Sequence, residues 1–350
     1  MITINQVMQW VRPEIAALSP YQSARQEFVG NGEKMILLDA NENPFDNEMN
    51  RYPDPMQTTL KKRLAEGKKV SEDQIYLGNG SDEVLNQLMM IFCVPGRDKV
   101  ILLPPTFGMY QVCANIQGIG VVNVPLDEEF QLNTAAILAA QDDATRMIFI
   151  PNPNNPTGNC FREEDILHLI ENFNGIVVLD EAYVEFTANK SNLNRLKDYS
   201  NLVIVQTFSK AQGLAGVRLG MCFAHAQIIA LFNKLKAPYN INTLTQNAVL
   251  NRLEEQGLVQ QQVHQINQEK NKLLLELSNI SFIKKIYPSD ANFFLIKVDD
   301  SQFRYQQLIG KGIVVRNPSK NHNCENTLRI TVGAFDENNA LISALRTMEI

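Results

Sequence analysis

At 350 residues, 45% hydrophobic and 20% charged, the chain has the make-up of an ordinary globular protein with room for two domains, which excludes a disordered or fibrous polypeptide. A formal net charge of −6 argues against a nucleic-acid surface, because Lys and Arg are nowhere concentrated beyond short pairs such as Lys68-Lys69. No apolar run approaches the ~18 residues of a membrane-spanning helix. The five cysteines form no C-x-x-C pair and read as reduced thiols of a cytosolic protein.

In chain order, residues 1–34 read as an N-terminal arm. MITINQVMQWVRPEIAAL sets Ile4, Val7, Met8, Val11, Ile15 and Leu18 at helical spacing, and its polar residues break any signal-peptide core. Between 35 and 242, β-branched runs alternate with helical patterns: MILLD (35–39), IYLGN (75–79), KVILL (99–103), IGVVNV (119–124), RMIFI (146–150), IVVLD (176–180), VIVQT (203–207) and LGMCFA (219–224). Continuous apolar strands separated by helices predict an α/β domain with a mostly parallel sheet covered on both faces. Residues 243–350 open on one long helical stretch. Strand-like NFFLIKV (292–298), GIVVR (312–316) and TLRITVG (327–333) come after it, the pattern of a smaller α+β domain.

Four motifs carry chemistry. In IYLGNGSDEVLNQL, Gly78 and Gly80 precede a helix expected near Asp82; the segment reads as a turn capped by Ser81 or Asp82, as a phosphate-holding helix start, or as an incomplete dinucleotide fingerprint with Glu83 in place of the third glycine. PNPNNPTGN (151–159) comes directly after a strand and is either a rigid turn or a ligand loop. In LDEAYVEF, Asp180 ends a buried strand, either as a helix cap or as the partner of a buried cation. In TFSKAQGLAGVRLG, Lys210 lies just past another strand end. Singly it reads as a surface lysine, but desolvation there favours a neutral, nucleophilic amine.

Taken together, these residues describe one ligand. Ser81, Thr207, Ser209 and Arg218 are the groups that a phosphate needs, Asp180 suits a protonated ring nitrogen, Asn155 and Tyr183 suit a phenolate oxygen, and Lys210 suits covalent attachment. That combination is pyridoxal 5′-phosphate. The four histidines have no metal-ligand spacing, no metal site is expected, and G-x-S-x-G and Walker motifs are lacking.

With these motifs assembled, the chain closely resembles the aspartate-aminotransferase superfamily of pyridoxal-phosphate enzymes, fold type I, and within it the branch that acts on L-histidinol phosphate. The resemblance runs through PYQSAR (20–25), LDANENPF (38–45), RYPDP (51–55), GNGSDE (78–83), PPTFGMY (104–110), PNPNNPTGN, LDEAYVEF, TFSKAQGLAGVRLG, GIVVR and LRITVG (328–333). It implies a seven-stranded, mostly parallel large domain and transamination between L-histidinol phosphate and 2-oxoglutarate. Aromatic amino-acid aminotransferases and threonine-phosphate decarboxylases are the neighbouring possibilities, and a non-catalytic regulatory module is the distant one.

By the same resemblance Lys210 binds the cofactor covalently, Asp180 meets its ring nitrogen, and Asn155 and Tyr183 meet its ring hydroxyl. Phe107 stacks on the ring, and Ser81, Asp82, Thr207, Ser209 and Arg218 hold the phosphate. Tyr52 reaches the site of a partner subunit in a homodimer. Arg329 binds the substrate's anionic group, with Arg316, Tyr21, Tyr52 and Asn155 as further substrate contacts. Gln212 departs from the pattern, since many relatives carry an aromatic residue there.

Overall fold

The computed structural model describes residues 2–21, 36–188 and 191–348. In chain order its helices and strands are α1 (Ile4–Gln9), α2 (Pro13–Ala16), α3 (Thr58–Lys68), β1 (Ile75–Asn79), α4 (Ser81–Phe92), β2 (Lys99–Leu102), α5 (Met109–Ile116), β3 (Gly120–Asn123), α6 (Thr134–Ala139), β4 (Thr145–Pro151), α7 (Glu163–Asn172), β5 (Ile176–Asp180), β6 (Leu202–Thr207), β7 (Leu219–Phe223), α8 (Ala226–Leu235), α9 (Thr243–Glu254), α10 (Gln256–Leu277), β8 (Ile283–Ile286), β9 (Phe293–Val298), α11 (Ser301–Gly310), β10 (Thr327–Thr331) and α12 (Phe335–Thr347).

The large sheet has the order β1-β7-β6-β5-β4-β2-β3. All its pairs are parallel except those of β7, which runs antiparallel to both β6 and β1. β1 therefore runs the same way as β2, β4, β5 and β6, so these strands all end at one edge of the sheet. Alternate residues of each apolar strand go to opposite faces. Met147 and Phe149 pack with Val7, Val84, Leu88 and Phe232. Ile148 and Ile150 pack with Leu60, Leu64, Leu169 and Val249 on the other face. The small antiparallel sheet, β10-β9-β8, buries its own cluster against Leu273, Leu308, Leu341 and Leu345 of α10, α11 and α12.

The fold departs from the sequence reading at five points. Residues 36–39 form no strand, and Ile36 and Leu38 lie exposed; a short apolar run does not by itself specify pairing. Met35 lies outside the described residues, as does most of PYQSAR. GIVVR contributes only an isolated bridge, Arg316 to Arg329, because Pro318 has no N–H to extend a ladder on the β10 edge. The long helical stretch is two helices, broken at Glu255 just before Gly257. β8, in FIKKIY, escapes the pattern because two lysines sit in its middle. Finally, α4 starts at Ser81 and its cap is Gly80, not Ser81 or Asp82.

Leu88 of α4 is fully buried. Leu88→Ala is expected to lower unfolding stability by about 2–5 kcal/mol, checked by urea denaturation.

Candidate active site

Twelve of the residues singled out in the sequence line one cavity of about 980 Å³: Ser81, Asp82, Phe107, Asn155, Asp180, Tyr183, Thr207, Ser209, Lys210, Arg218, Arg316 and Arg329. It lies outside the carboxyl ends of the parallel strands, where open α/β sheets bind ligands. Asp180 closes β5, Thr207 closes β6, and the loop carrying Asn155 leaves β4. The small sheet adds Arg329 of β10, with Arg316 bridged beside it.

One end of the cavity is built for an anion. α4 has no side-chain cap, so the N–H groups of its first turn are not claimed by Gly80. Gly80 (φ +78°) donates its N–H to the Arg218 carbonyl at 2.7 Å, and Arg218 itself is left-handed at φ +58°. A Cβ on Gly80 would stand 2.5 Å from Arg218 Nη2, and one on Gly220 would stand 2.2 Å from the Ser81 nitrogen. The two glycines thus let β7 and the Arg218 side chain lie against the start of α4. Arg218 pairs with Asp82 at 3.2 Å. Thr207 donates its hydroxyl to Ser209 Oγ at 3.0 Å and accepts the Ser209 N–H at 3.1 Å.

The middle of the cavity holds an acid and a base. Asp180 is buried; Tyr110 donates its hydroxyl to Oδ2 at 2.7 Å, and the Ala182 N–H reaches Oδ1 at 3.0 Å. Burial outweighs these donors and lifts the carboxyl to about 6. Lys210 lies with Nζ 5.4 Å from the Tyr183 ring centroid. It is reachable from the cavity, yet desolvation and then the Arg329 guanidinium lower its ammonium from the ordinary lysine range. Burial raises the Tyr183 phenol to about 12, so the hydroxyl stays a donor.

At the other end Arg329 donates Nη1 to Asn155 Oδ1, joining the small sheet to the β4 loop. Its guanidinium also lies 5.2 Å from the Phe293 ring centroid. Gln302, Tyr305, Asn317 and Lys320 complete this wall.

Two expected site residues lie elsewhere. Tyr52 stacks on Tyr239, centroids 4.4 Å apart, beside a separate cavity of about 430 Å³. Tyr21 is 71% exposed. Gln212 does not line the cavity. It is buried, accepting Arg252 Nε at its carbonyl (2.8 Å) and Gln256 Nε2 at its amide oxygen (3.2 Å), so polar partners replace the packing of an aromatic ring. Tyr110 has no role assigned from the sequence. Its place three residues after Phe107 in PPTFGMY is the available signal, although Phe107 itself precedes the helix. The two rings meet edge to face at 5.5 Å.

With this geometry in place, the chain matches the family described as aminotransferase class I and II over residues 33–345. It belongs to that family. Among curated relatives, the histidinol-phosphate aminotransferase of Christiangramia forsetii is 50% identical over 339 residues and that of Flavobacterium psychrophilum 51% over 338, each alignment covering 97% of both chains. Among solved structures, the histidinol-phosphate aminotransferase from Clostridium acetobutylicum is similar with a TM-score of 0.80 and 26% identity, over 86% of this chain and 91% of that one.

Aminotransferases of this class use pyridoxal phosphate, and the residues of this site fit it. The glycine-lined cradle beside Arg218 suits a phosphate, the buried carboxylate suits a cationic ring nitrogen, and a lysine of lowered basicity lines the same cavity.

Two outcomes are expected for the aminotransferase. Gly220→Ala overpacks the cradle, which typically costs about 1–3 kcal/mol; cofactor affinity is expected to fall about tenfold or more, read by absorbance titration. In the cofactor-free protein, the folded state keeps a proton on Asp180 that the unfolded chain releases near its ordinary value of 3.8. Stability contributed by this group therefore declines as pH rises from about 4 to 6. Asp180→Asn removes that loss, and denaturation above pH 6 should find the cofactor-free variant more stable by up to about 3 kcal/mol.

Proposed function

We propose that the chain transfers the amino group of L-histidinol phosphate to 2-oxoglutarate, giving imidazole-acetol phosphate and glutamate, as a step of histidine biosynthesis. The observation that carries this reading is the bridged pair Arg316 and Arg329 in the same cavity as Lys210. Curated relatives of that name, about half identical over nearly the whole length, support it. A paired cationic wall suits a donor with a phosphate ester and an acceptor with carboxylates in turn, because guanidinium groups take either anion through bidentate hydrogen bonds.

In this reading Ser81, Thr207, Ser209, Arg218 and the first-turn N–H groups at Asp82 hold the cofactor phosphate. Asp180 pairs with the ring nitrogen, Phe107 stacks on the ring, and Asn155 and Tyr183 hydrogen-bond the ring hydroxyl. Lys210 holds the cofactor covalently between turnovers. Bound there, pyridoxal phosphate supplies an electron sink that acidifies the donor's Cα–H. Lys210, its basicity lowered by partial desolvation and then by the Arg329 guanidinium, would take the proton from that Cα. Arg316 and Arg329 fix the donor's anionic end, and Arg329 exchanges its contact with Asn155 for the substrate.

The working unit would be a cytoplasmic homodimer, with 1–34 as an arm, 35–242 as the cofactor domain and 243–350 as the connecting helices and small domain. Exposed Ile36, Leu38, Phe45, Met49, Tyr52 and Leu244 support an interface between copies. Tyr52 would cross it to the partner's phosphate, and Tyr21 would reach the substrate from the arm.

Purified protein with L-histidinol phosphate and 2-oxoglutarate should form glutamate with parallel double-reciprocal lines, faster than with phenylalanine and without releasing CO₂. Faster turnover of phenylalanine, or CO₂ release, assigns the aromatic or decarboxylase reading instead. Lys210→Ala should cut turnover by at least ~10³-fold. Sedimentation should find a dimer.

A further inference from the structure

We propose that Tyr110 is a positioning residue for Asp180, its hydroxyl holding the carboxylate oriented and ionised for the cofactor's ring nitrogen. The inference rests on the proposed pairing of Asp180 with that nitrogen. Tyr110 is fully buried, stacked on Phe149 at 4.8 Å and 17° and edge-on to Phe107. Those contacts need only a ring, and phenylalanine would fill the same space. A hydroxyl buried among aromatic side chains is costly unless it is paired. Its partner is Asp180 Oδ2 at 2.7 Å.

Among the described residues, Asp180 has two donors, one on each oxygen: Tyr110 and the Ala182 N–H. Each carboxylate oxygen keeps a further lone pair free. The other charged and titratable groups near it are Asp82 from α4, Glu181 and Tyr183 beyond β5, and Lys210 beyond β6. Asp82 and Glu181 oppose ionisation, and so does burial. Tyr110 is the side-chain donor on the other side of that balance. It remains protonated, since burial and then the Asp180 charge push its phenol well above the ordinary range. One ring thereby serves two cofactor contacts, bracing Phe107 by packing and Asp180 by hydrogen bonding.

The test is Tyr110→Phe in the full-length protein, reading the kcat–pH profile and, separately, pyridoxal-phosphate affinity of the cofactor-free protein across pH. Loss of a donor to the ionised acid should raise the acid limb by about one to two pH units, as expected for one hydrogen bond to a charged group. KM for the donor should change little, and cofactor affinity should fall at neutral pH and recover on the alkaline side. Site-specific 3-fluorotyrosine at 110, a stronger donor, should move the limb downward, and it keeps the test open if Tyr110→Phe does not fold. Phe149→Leu, which disturbs the packing but spares the hydroxyl, should lower stability without moving the limb. Wild-type pH profile and affinity in Tyr110→Phe, beside loss of both in Asp180→Asn, overturn the proposal. Unchanged affinity and turnover in Asp180→Asn overturn the role of Asp180 itself, and the proposal with it.

Discussion

The anion cradle and the lysine of the site depend on the reversal between β6 and β7. A parallel strand normally sends the chain away over a helix, but here the chain leaves β6 at Thr207 and returns at Leu219 to run antiparallel beside it. The eleven residues between must stay at the edge where the parallel strands end. Ser209, Lys210 and Arg218 are consequently held within reach of Asp180 and of the start of α4. The return also brings Gly220 against Gly80 and Ser81, where no side chain fits.

Given that placement, the acid is shielded while the lysine stays open to the cavity. Asp180 has its proton affinity raised and Lys210 has it lowered, both chiefly by desolvation. The acid and the base are thus drawn towards neutrality from opposite sides. On the small-sheet side of the cavity desolvation also acts on Arg329, whose charge is met by Asn155 and the face of Phe293. The cavity residues are distributed over two sheets, and the Asn155–Arg329 contact is one of the bonds that join the two halves, beside Asp290 N–H to the Gly158 carbonyl.

Much of this is legible in the sequence because continuous apolar runs specify buried parallel strands, and the residues just past each run then fall at one edge. Asp180, Thr207 and Lys210 can be placed that way. Asn155 and Arg218 are placed by their loops. Less local features are not legible. Strand order and the antiparallel sense of β7 depend on pairing partners far apart in the chain. GIVVR has the composition of a strand, and only tertiary context leaves it with a single bridge. Tyr110 is hidden because a buried tyrosine in an amphipathic helix reads as core until the acid it touches is placed. Tyr52 and Tyr21 lie outside the cavity of their own chain, where a single copy gives them no counterpart in the site.

With Arg329 proposed as the residue that takes the substrate's anion, its contact with Asn155 has a consequence for how the enzyme would distinguish its ligands. The guanidinium donates through Nη1 to a neutral amide oxygen of the protein. An incoming anion therefore competes with an internal occupant, and only the difference between the two bonds is gained. A full negative charge wins that exchange, whereas a neutral hydroxyl or amide on a smaller molecule gains almost nothing. On that proposal, Asn155 would set a threshold against uncharged look-alikes.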